Sequence, residues 1–515
     1  MPKSSSEEVF TLIHSLNKHE KAYFKIYASK RFYKKNIIYI KLFDIIERQK
    51  EFREEKIIRK LNLTGRQRLA GLKNYLFNMI LNAMESAHAG KGTVPALNRL
   101  LFQVSLLYKK GVYGQCRKIL SKARQLACSH EKHLVLLEIL DWEKTLIHSD
   151  LTKKKMKKQV EDVLEEEKKV FSVLQDARRS SEAKHMVLSH YEKHKVARNR
   201  KEKIAYSKIA ARAGIKKHQA TLSLNSKFDM YYANGLFHYA SGNFPQSLKY
   251  YKMQVDLIEN NPGKLHERNA SYFIVLSNYY HACFMQKKYT ECLSVIKKIR
   301  NVPADSEKMK LQAFRTSYMR ELELYINTGE YRKGIHLISE ISHGLNIFGE
   351  KISGSYRVNF YFDIAHIYFG SEDYSKCLSW LNRILNNTAT KETNGDLYGF
   401  SMIMAAITLF EMGERNLIHL VKSTHRFLYK KKILYKIVED LLDFIRVKVP
   451  KIKGGNEQIK AFSDLKKKLL LVTKDPYEKR ALEYFDIISW LESKTENKSF
   501  AEIIKTKSGW NLGQS

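Results

Sequence analysis

Thr328-Gly329-Glu330-Tyr331-Arg332-Lys333-Gly334 and Ser371-Glu372-Asp373-Tyr374-Ser375-Lys376-Cys377 are two copies of one short pattern: a turn-forming start, an aromatic residue, two variable residues and a small one. The same pattern occurs at Lys110 to Cys116, Ser241 to Ser247 and Gln286 to Cys292, with Tyr113, Phe244 and Tyr289 as the aromatics. Phe244, Tyr289, Tyr331 and Tyr374 lie 45, 42 and 43 residues apart, and Tyr113 precedes Phe244 by 131, which leaves room for two degenerate copies. A fixed period of this length is the signature of a repeat architecture.

The flanks identify the repeating unit. Before each turn, apolar residues fall at i, i+4 and i+7: Tyr318, Leu322, Tyr325 and Tyr361, Ala365, Tyr368. After it the pattern restarts, as in Tyr331, Gly334, Ile338, Ile341 and Tyr374, Cys377, Leu381, Ile384. Both are one face of a helix, so each unit is a helical hairpin. The small residue three places after the aromatic lets the second helix approach the first. Buried Cys serves there as a small apolar residue, which gives Cys116, Cys292 and Cys377 a packing role and puts Cys283 on a first-helix face. Pro245 suits the first turn of a second helix, where its missing N–H costs little.

This spacing resembles the tetratricopeptide repeat. Tyr231, Gly235, His238, Gly242, Phe244, Ser247 and Tyr251 carry that family's alternation of bulky, small and aromatic positions, over about residues 95 to 430 and most strongly from 225 to 390. The period exceeds the family's usual 34, so helices or connections must be longer. The resemblance implies an all-α fold: a right-handed superhelical solenoid of antiparallel helix pairs whose first helices line a concave groove. By that resemblance the groove residues are Tyr232, Leu236, Tyr239; Ser277, His281, Phe284; Met319, Glu323, Ile326; and Phe362, His366, Phe369. The Lys/Asn/Arg set with which some members clamp a terminal carboxylate is missing. The lining is aromatic and apolar and would suit an amphipathic helix or apolar peptide. The other reading is that neighbouring hairpins, or the chain's own C-terminal helices, cover these residues. Burial decides: exposed Tyr239, Phe284 and Phe369 keep an open site, and full burial removes it.

The expected organisation is a helical N-terminal module over 1–90, the solenoid over 91–430 and a helical cap over 431–515. Leu16 to Lys25 looks like the opening of bacterial repeat proteins. Ala481, Tyr484, Phe485, Ile488 and Leu491 form an apolar stripe in the cap, and Lys505 to Ser515 read as a frayed end.

The 515 residues carry a net charge of +37, with 91 Lys and Arg against 54 Asp and Glu. Such a field favours acidic partners, nucleic acid above all; composition bias is the plain alternative. Residues 1 to 224 hold 48 of the basic and 23 of the acidic residues. The densest run is Lys193, Lys195, Arg198, Arg200, Lys201, Lys203, Lys208, Arg212, Lys216 and Lys217, opposed only by Glu202. It is a solvated helix face or a phosphate-binding one. Tyr206 to Ile215 reads like the opening of a helix-turn-helix, with Lys216 to Leu224 as recognition helix, but the stretch lies where a degenerate repeat needs its second helix.

The start of the chain has no apolar stretch of a secretory signal, and the longest apolar run, Phe400 to Phe410, is too short to span a bilayer. A cytoplasmic protein without membrane insertion is expected. The five cysteines form no C-x-x-C pair. His190 and His194 sit four apart, but position 191 is Tyr, so the H-E-x-x-H order is absent. No nucleophile motif or nucleotide fingerprint occurs, so the sequence points to no catalytic residue, metal or cofactor. The expectation is a protein-interaction scaffold that binds a peptide or helix; the alternative is a nucleic-acid-associated regulator that uses the basic N-terminal half.

Overall fold

The computed structural model describes residues 7–31, 37–49, 51–63, 66–88, 92–149, 156–197, 199–215, 223–262, 269–304, 306–414, 417–452 and 454–510. They are helical throughout, and no β-strand occurs among them. Two compact units divide at residue 174.

In the first unit, α1 (Glu8–Ser15), α2 (Lys18–Arg31), α3 (Ile37–Glu47), α4 (Glu54–Lys60) and α5 (Arg66–His88) enclose their own core, in which Phe24 and Phe43 stack 4.7 Å apart. Next come the pair α6 (Thr93–Lys109) and α7 (Tyr113–Ser129), then α8 (His133–His148) and the first half of α9 (Met156–His194). Arg124 on α7 binds both Glu143 on α8, at 2.8 Å, and Glu166 on α9.

The second unit begins within α9 and continues through α10 (Arg200–Arg212) into consecutive antiparallel pairs. These are α11 (Leu224–Ala240) with α12 (Phe244–Glu259), α13 (Asn269–Met285) with α14 (Tyr289–Asn301), α15 (Glu307–Thr328) with α16 (Tyr331–Phe348), and α17 (Gly354–Gly370) with α18 (Tyr374–Leu385). After the short α19 (Thr388–Thr393), α20 (Gly395–Glu411) pairs with α21 (Ile418–Lys431). Then follow α22 (Lys436–Asp443), α23 (Gly455–Val472), α24 (Pro476–Lys479), α25 (Ile487–Glu496) and α26 (Phe500–Ser508).

Each turn expected from the sequence is built alike. Gly111, Gly242, Lys287, Gly329 and Glu372 all have positive φ, from 53° to 78°. The next N–H bonds the carbonyl five residues back: Val112 to Leu107, Asn243 to His238, Lys288 to Cys283, Glu330 to Tyr325 and Asp373 to Tyr368, at 2.8–3.0 Å. This is the Schellman closure of a helix C-terminus. The aromatic two places later opens the second helix and packs on the ring five places before it. Tyr113 meets Tyr108, Phe244 meets Tyr239, Tyr289 meets Phe284 and Tyr374 meets Phe369, with centroids 5.4–6.0 Å apart. The small residue then reaches the first helix. Ser247 Oγ donates to the Gly235 carbonyl at 2.9 Å, and the thiols of Cys116 and Cys292 point at the carbonyls of Val104 and Tyr280, again twelve residues back.

Between Tyr113 and Phe244 the chain departs from two plain copies. A turn at Glu131, φ 52°, leads into α8 without the aromatic. The long α9 then serves two cores: Val163 and Val170 pack with α6 to α8, and Ala183 and Val187 pack with Tyr206 of α10 and Leu236 of α11. Tyr206 and Ala210 are buried there, so one face of α10 belongs to the core shared by α9 and α11. Residues 216–222, which the helix-turn-helix reading needs for its recognition helix, lie outside the described residues.

The C-terminal segment has no core of its own. Phe485, Trp490, Phe500 and Ile504 share one core with the pairs α15 to α21. The stripe from Ala481 to Leu491 comes together from a 3₁₀ turn (Arg480–Glu483) and α25 rather than from one helix. The end expected to fray is fixed as far as Trp510, which is buried 5.4 Å from the Tyr289 ring.

Gly329 tests this docking. Its φ is +73°, and a Cβ there would lie 2.7 Å from the Ala501 carbonyl oxygen and 2.8 Å from Lys505 Cγ. Gly413 has the same backbone, φ +78°, with nothing within 4 Å. Gly413→Ala is expected to cost about 1 kcal/mol in urea denaturation for left-handed strain alone. Gly329→Ala is expected to cost roughly 2–4 kcal/mol, because overpacking against α26 adds to that strain. Equal losses would show that α26 does not press on the turn.

Candidate functional site

The residues expected to line a groove do lie along the first-helix side of the second unit, but they already have neighbours. Tyr239, Phe284 and Phe369 are the rings that close their own hairpin turns against Phe244, Tyr289 and Tyr374. Leu236 and Phe362 are buried, while Tyr232, Tyr239, His281, Phe284 and Met319 are half-buried. Phe369 is 1% exposed and His366 6%. The open groove expected at Phe362, His366 and Phe369 is therefore covered, and the cover is the chain's own C-terminal segment.

Sequence and packing explain how that segment is held. Ser499 and Glu502 form a capping box, so α26 starts at Phe500 and presents its ring inward. Phe500 and Phe485 stack at 5.5 Å, and Phe369 meets them edge-on at 5.5 and 5.1 Å. His366 lies 5.4 Å from Phe485, and Tyr331 lies 6.0 Å from Phe500. Polar ties flank the rings. Lys505 binds Glu330 at 3.3 Å, Lys287 Nζ donates to the Lys507 carbonyl at 3.2 Å, and Trp490 Nε1 donates to Glu411 at 2.6 Å.

The cover is incomplete. A cavity of about 660 Å³ remains between Phe284, Met319, Arg320, Glu323, Asn359, Phe362, Asp363 and His366 on one side and Glu483 to Asp486, Phe500, Ile504 and Lys507 on the other, with Tyr331 also in its wall. Arg320 binds Glu323 at 2.9 Å. Burial, aided by the Glu323 charge and opposed by Arg320, pushes the Asp363 carboxyl up to about 8. Burial pulls the His366 imidazole down to about 4, so the ring is neutral at pH 7. His281 beside the cavity is also pulled down to about 4, by burial and then by Arg320. The Tyr331 hydroxyl is buried with no hydrogen-bond partner among the described residues.

Asp363, Tyr331 and the C-terminal rings were missed as cavity groups. An acid inside the apolar run Phe360 to Phe369 was the available signal for Asp363. Nothing in the sequence spacing links Phe485 or Phe500 to helices over a hundred residues earlier.

The basic cluster is placed differently. Lys193, Lys195, Arg200, Lys201, Lys203, Lys208 and Arg212 are all exposed, and none forms an ion pair with a described residue. Arg198, Lys216 and Lys217 lie outside the described residues. His190 and His194 lie ring to ring at 4.4 Å, with Tyr206 edge-on to His190 at 4.6 Å. Among the described residues, no helix is long and apolar enough to cross a membrane. No family model matches the chain, and no curated protein matches it significantly.

Asp363 gives a pH prediction. Its folded value, about 8, stands above the ordinary 3.8, so the folded chain keeps a proton that the unfolded chain has lost. Stability from this group therefore falls as pH rises through that window. The melting temperature of Asp363→Asn relative to the unaltered protein should rise steadily from about pH 5 to about pH 8.5. The acid-side loss from His366 and His281 is common to both proteins and cancels. A difference that stays constant with pH would show that the carboxyl is not held protonated.

Proposed function

We propose that this chain is an interaction protein that holds an amphipathic helix against its first-helix face. The observation that carries this reading is self-occupancy: the C-terminal segment, anchored by Phe485 just before α25 and by Phe500 at the start of α26, covers part of the first-helix face. Aromatic anchors in desolvated positions carry most of the energy of such contacts. A partner with two rings at matching spacing would compete with the C-terminal segment for the same helices. The stacked pairs, with their turn, ring and small residue, are read as tetratricopeptide-like. The role is binding rather than catalysis, and a cytoplasmic location remains part of the reading.

Partner capture from native lysate tests it. A synthetic peptide of residues 479–510 in excess should block capture, and the same peptide with Phe485→Ala and Phe500→Ala should not. Nuclease treatment should leave capture unchanged. Equal effects of the two peptides would end the helix-binding reading.

One observation favours a second reading. The exposed, unpaired cations of α9 and α10 suit a phosphate backbone, since no carboxylate among the described residues neutralises them. If they bind duplex DNA, the logarithm of affinity should fall with the logarithm of salt concentration, with a slope of about −0.9 per phosphate neutralised. Replacing Arg200, Lys201, Lys203 and Lys208 by Ser should flatten that slope without moving the melting temperature. An unchanged slope, or no binding at low salt, would remove nucleic acid as a partner of this face.

A further inference from the structure

Around the cavity Arg320 and Lys507 are paired with carboxylates, and two carboxyl groups have no partner among the described residues. Arg320 is held by Glu323 at 2.9 Å, and Lys507 by Glu492 at 2.5 Å and by the Ser489 hydroxyl at 2.7 Å. Lys287 donates to the Lys507 carbonyl at 3.2 Å. Asp486 caps α25 by accepting from the Ser489 N–H at 2.9 Å. Asp363 and Glu483 line the cavity and make no hydrogen bond or ion pair with a described residue. Burial keeps the Asp363 carboxyl protonated in the cavity, so an ammonium group takes it as a counter-ion by displacing that proton.

Two further side chains have unused polar atoms. Tyr331 is 2% exposed, and its hydroxyl has no partner among the described residues. His366 is 6% exposed, lines the cavity and makes no hydrogen bond with a described residue. A buried donor or acceptor without a partner is costly, and a ligand that supplies one removes the cost. His366 stands three residues from Asp363 on α17, so the two share a helix face. The remaining wall is aromatic, with Phe362, Tyr484 and Phe485 among its rings. Among the described residues no three His, Cys, Asp or Glu side chains gather as metal ligands, which favours an organic cation over a metal ion.

We propose that this cavity binds a small protonated amine on an apolar or aromatic body, with Asp363 as its counter-ion, Tyr331 and His366 as flanking polar contacts and the rings around its body. The volume, about 660 Å³, suits a small organic molecule. An ammonium group gains from a carboxylate and from aromatic faces together, whereas an anion gains from neither. The site does not rest on the helix-capture reading, but it needs the docked C-terminal segment that a captured helix would displace. Because its walls belong both to α15 and α17 and to the C-terminal segment, a bound amine stabilises the docked segment by mass action.

Three probes with one body and different charge decide the matter: 2-phenylethylamine, 2-phenylethanol and phenylacetate, titrated into the full chain and followed by ligand-observed NMR and calorimetry. The amine should bind at one site, with the alcohol and the acid at least about tenfold weaker. Asp363→Asn should weaken the amine by at least about tenfold and leave the alcohol unchanged. Glu483→Gln, at an exposed position, should weaken the amine less. The proposal is overturned if the three probes bind alike, if phenylacetate is preferred, if no amine binds at millimolar concentration, or if Asp363→Asn folds and binds the amine as before. Should Asp363→Asn fail to fold, the order of the three probes on the unaltered chain settles the question.

Discussion

The fold rests on the geometry of one turn. A left-handed residue ends the first helix, an aromatic two places later opens the second, and the ring lands on the residue five places before it. Four of these contacts join ring to ring. Tyr331 is the exception, and it shows how copies connect. Its ring lies over Gly370 of the next pair, where a Cβ would stand 2.4 Å from it. Gly334 meets Ile367 of the same neighbouring helix equally closely, with a Cβ placed 2.4 Å from Ile367 Cδ1. The ring and the small residue thus set both the closure of a pair and its stacking on the next. Energetics dominated by nearest neighbours follow from such a plan.

The first helices have a second obligation. The last turn of α17 carries the ring that closes its hairpin, and the same ring faces the C-terminal segment. Phe369 satisfies Tyr374 of its own pair and Phe485 and Phe500 from the far end of the chain. An aromatic stripe at helical spacing is therefore shared between closure and docking. The cavity survives where this packing is interrupted by Asp363, Asn359 and the Arg320–Glu323 pair, side chains that cannot be buried among rings without partners.

Much of the architecture was legible because it is local. The expected turns at Gly111, Gly242, Lys287, Gly329 and Glu372 all carry positive φ, although two of them are not glycine. The pattern located them because the aromatic and small residues mark the turn independently of the residue that adopts it. Turns at Glu131 and Gly413 escaped it, because His133 and Arg415 stand in the sequence two places later, where the pattern needs a ring. The long α9 escaped it as well, since a helix that serves two cores has no break to announce a boundary. The cavity was legible only in part. Phe284, Met319, Phe362 and His366 follow from spacing, but the partners that bury or expose them come from residues 482–510, and no periodicity connects segments so distant.

Lys287 and Lys507 are joined by a hydrogen bond across 220 residues, in a unit whose other pairings are mostly between sequence neighbours. During synthesis the pairs from α13 to α18 leave the ribosome well before Phe485 and Phe500 exist. For that interval the rings of Tyr331, His366 and Phe369 have no cover, and the chain carries an apolar face that nascent-chain chaperones recognise. Fast local folding is followed by one slow, long-range closure, as contact order requires. Cover for these rings waits on the synthesis of α25 and α26.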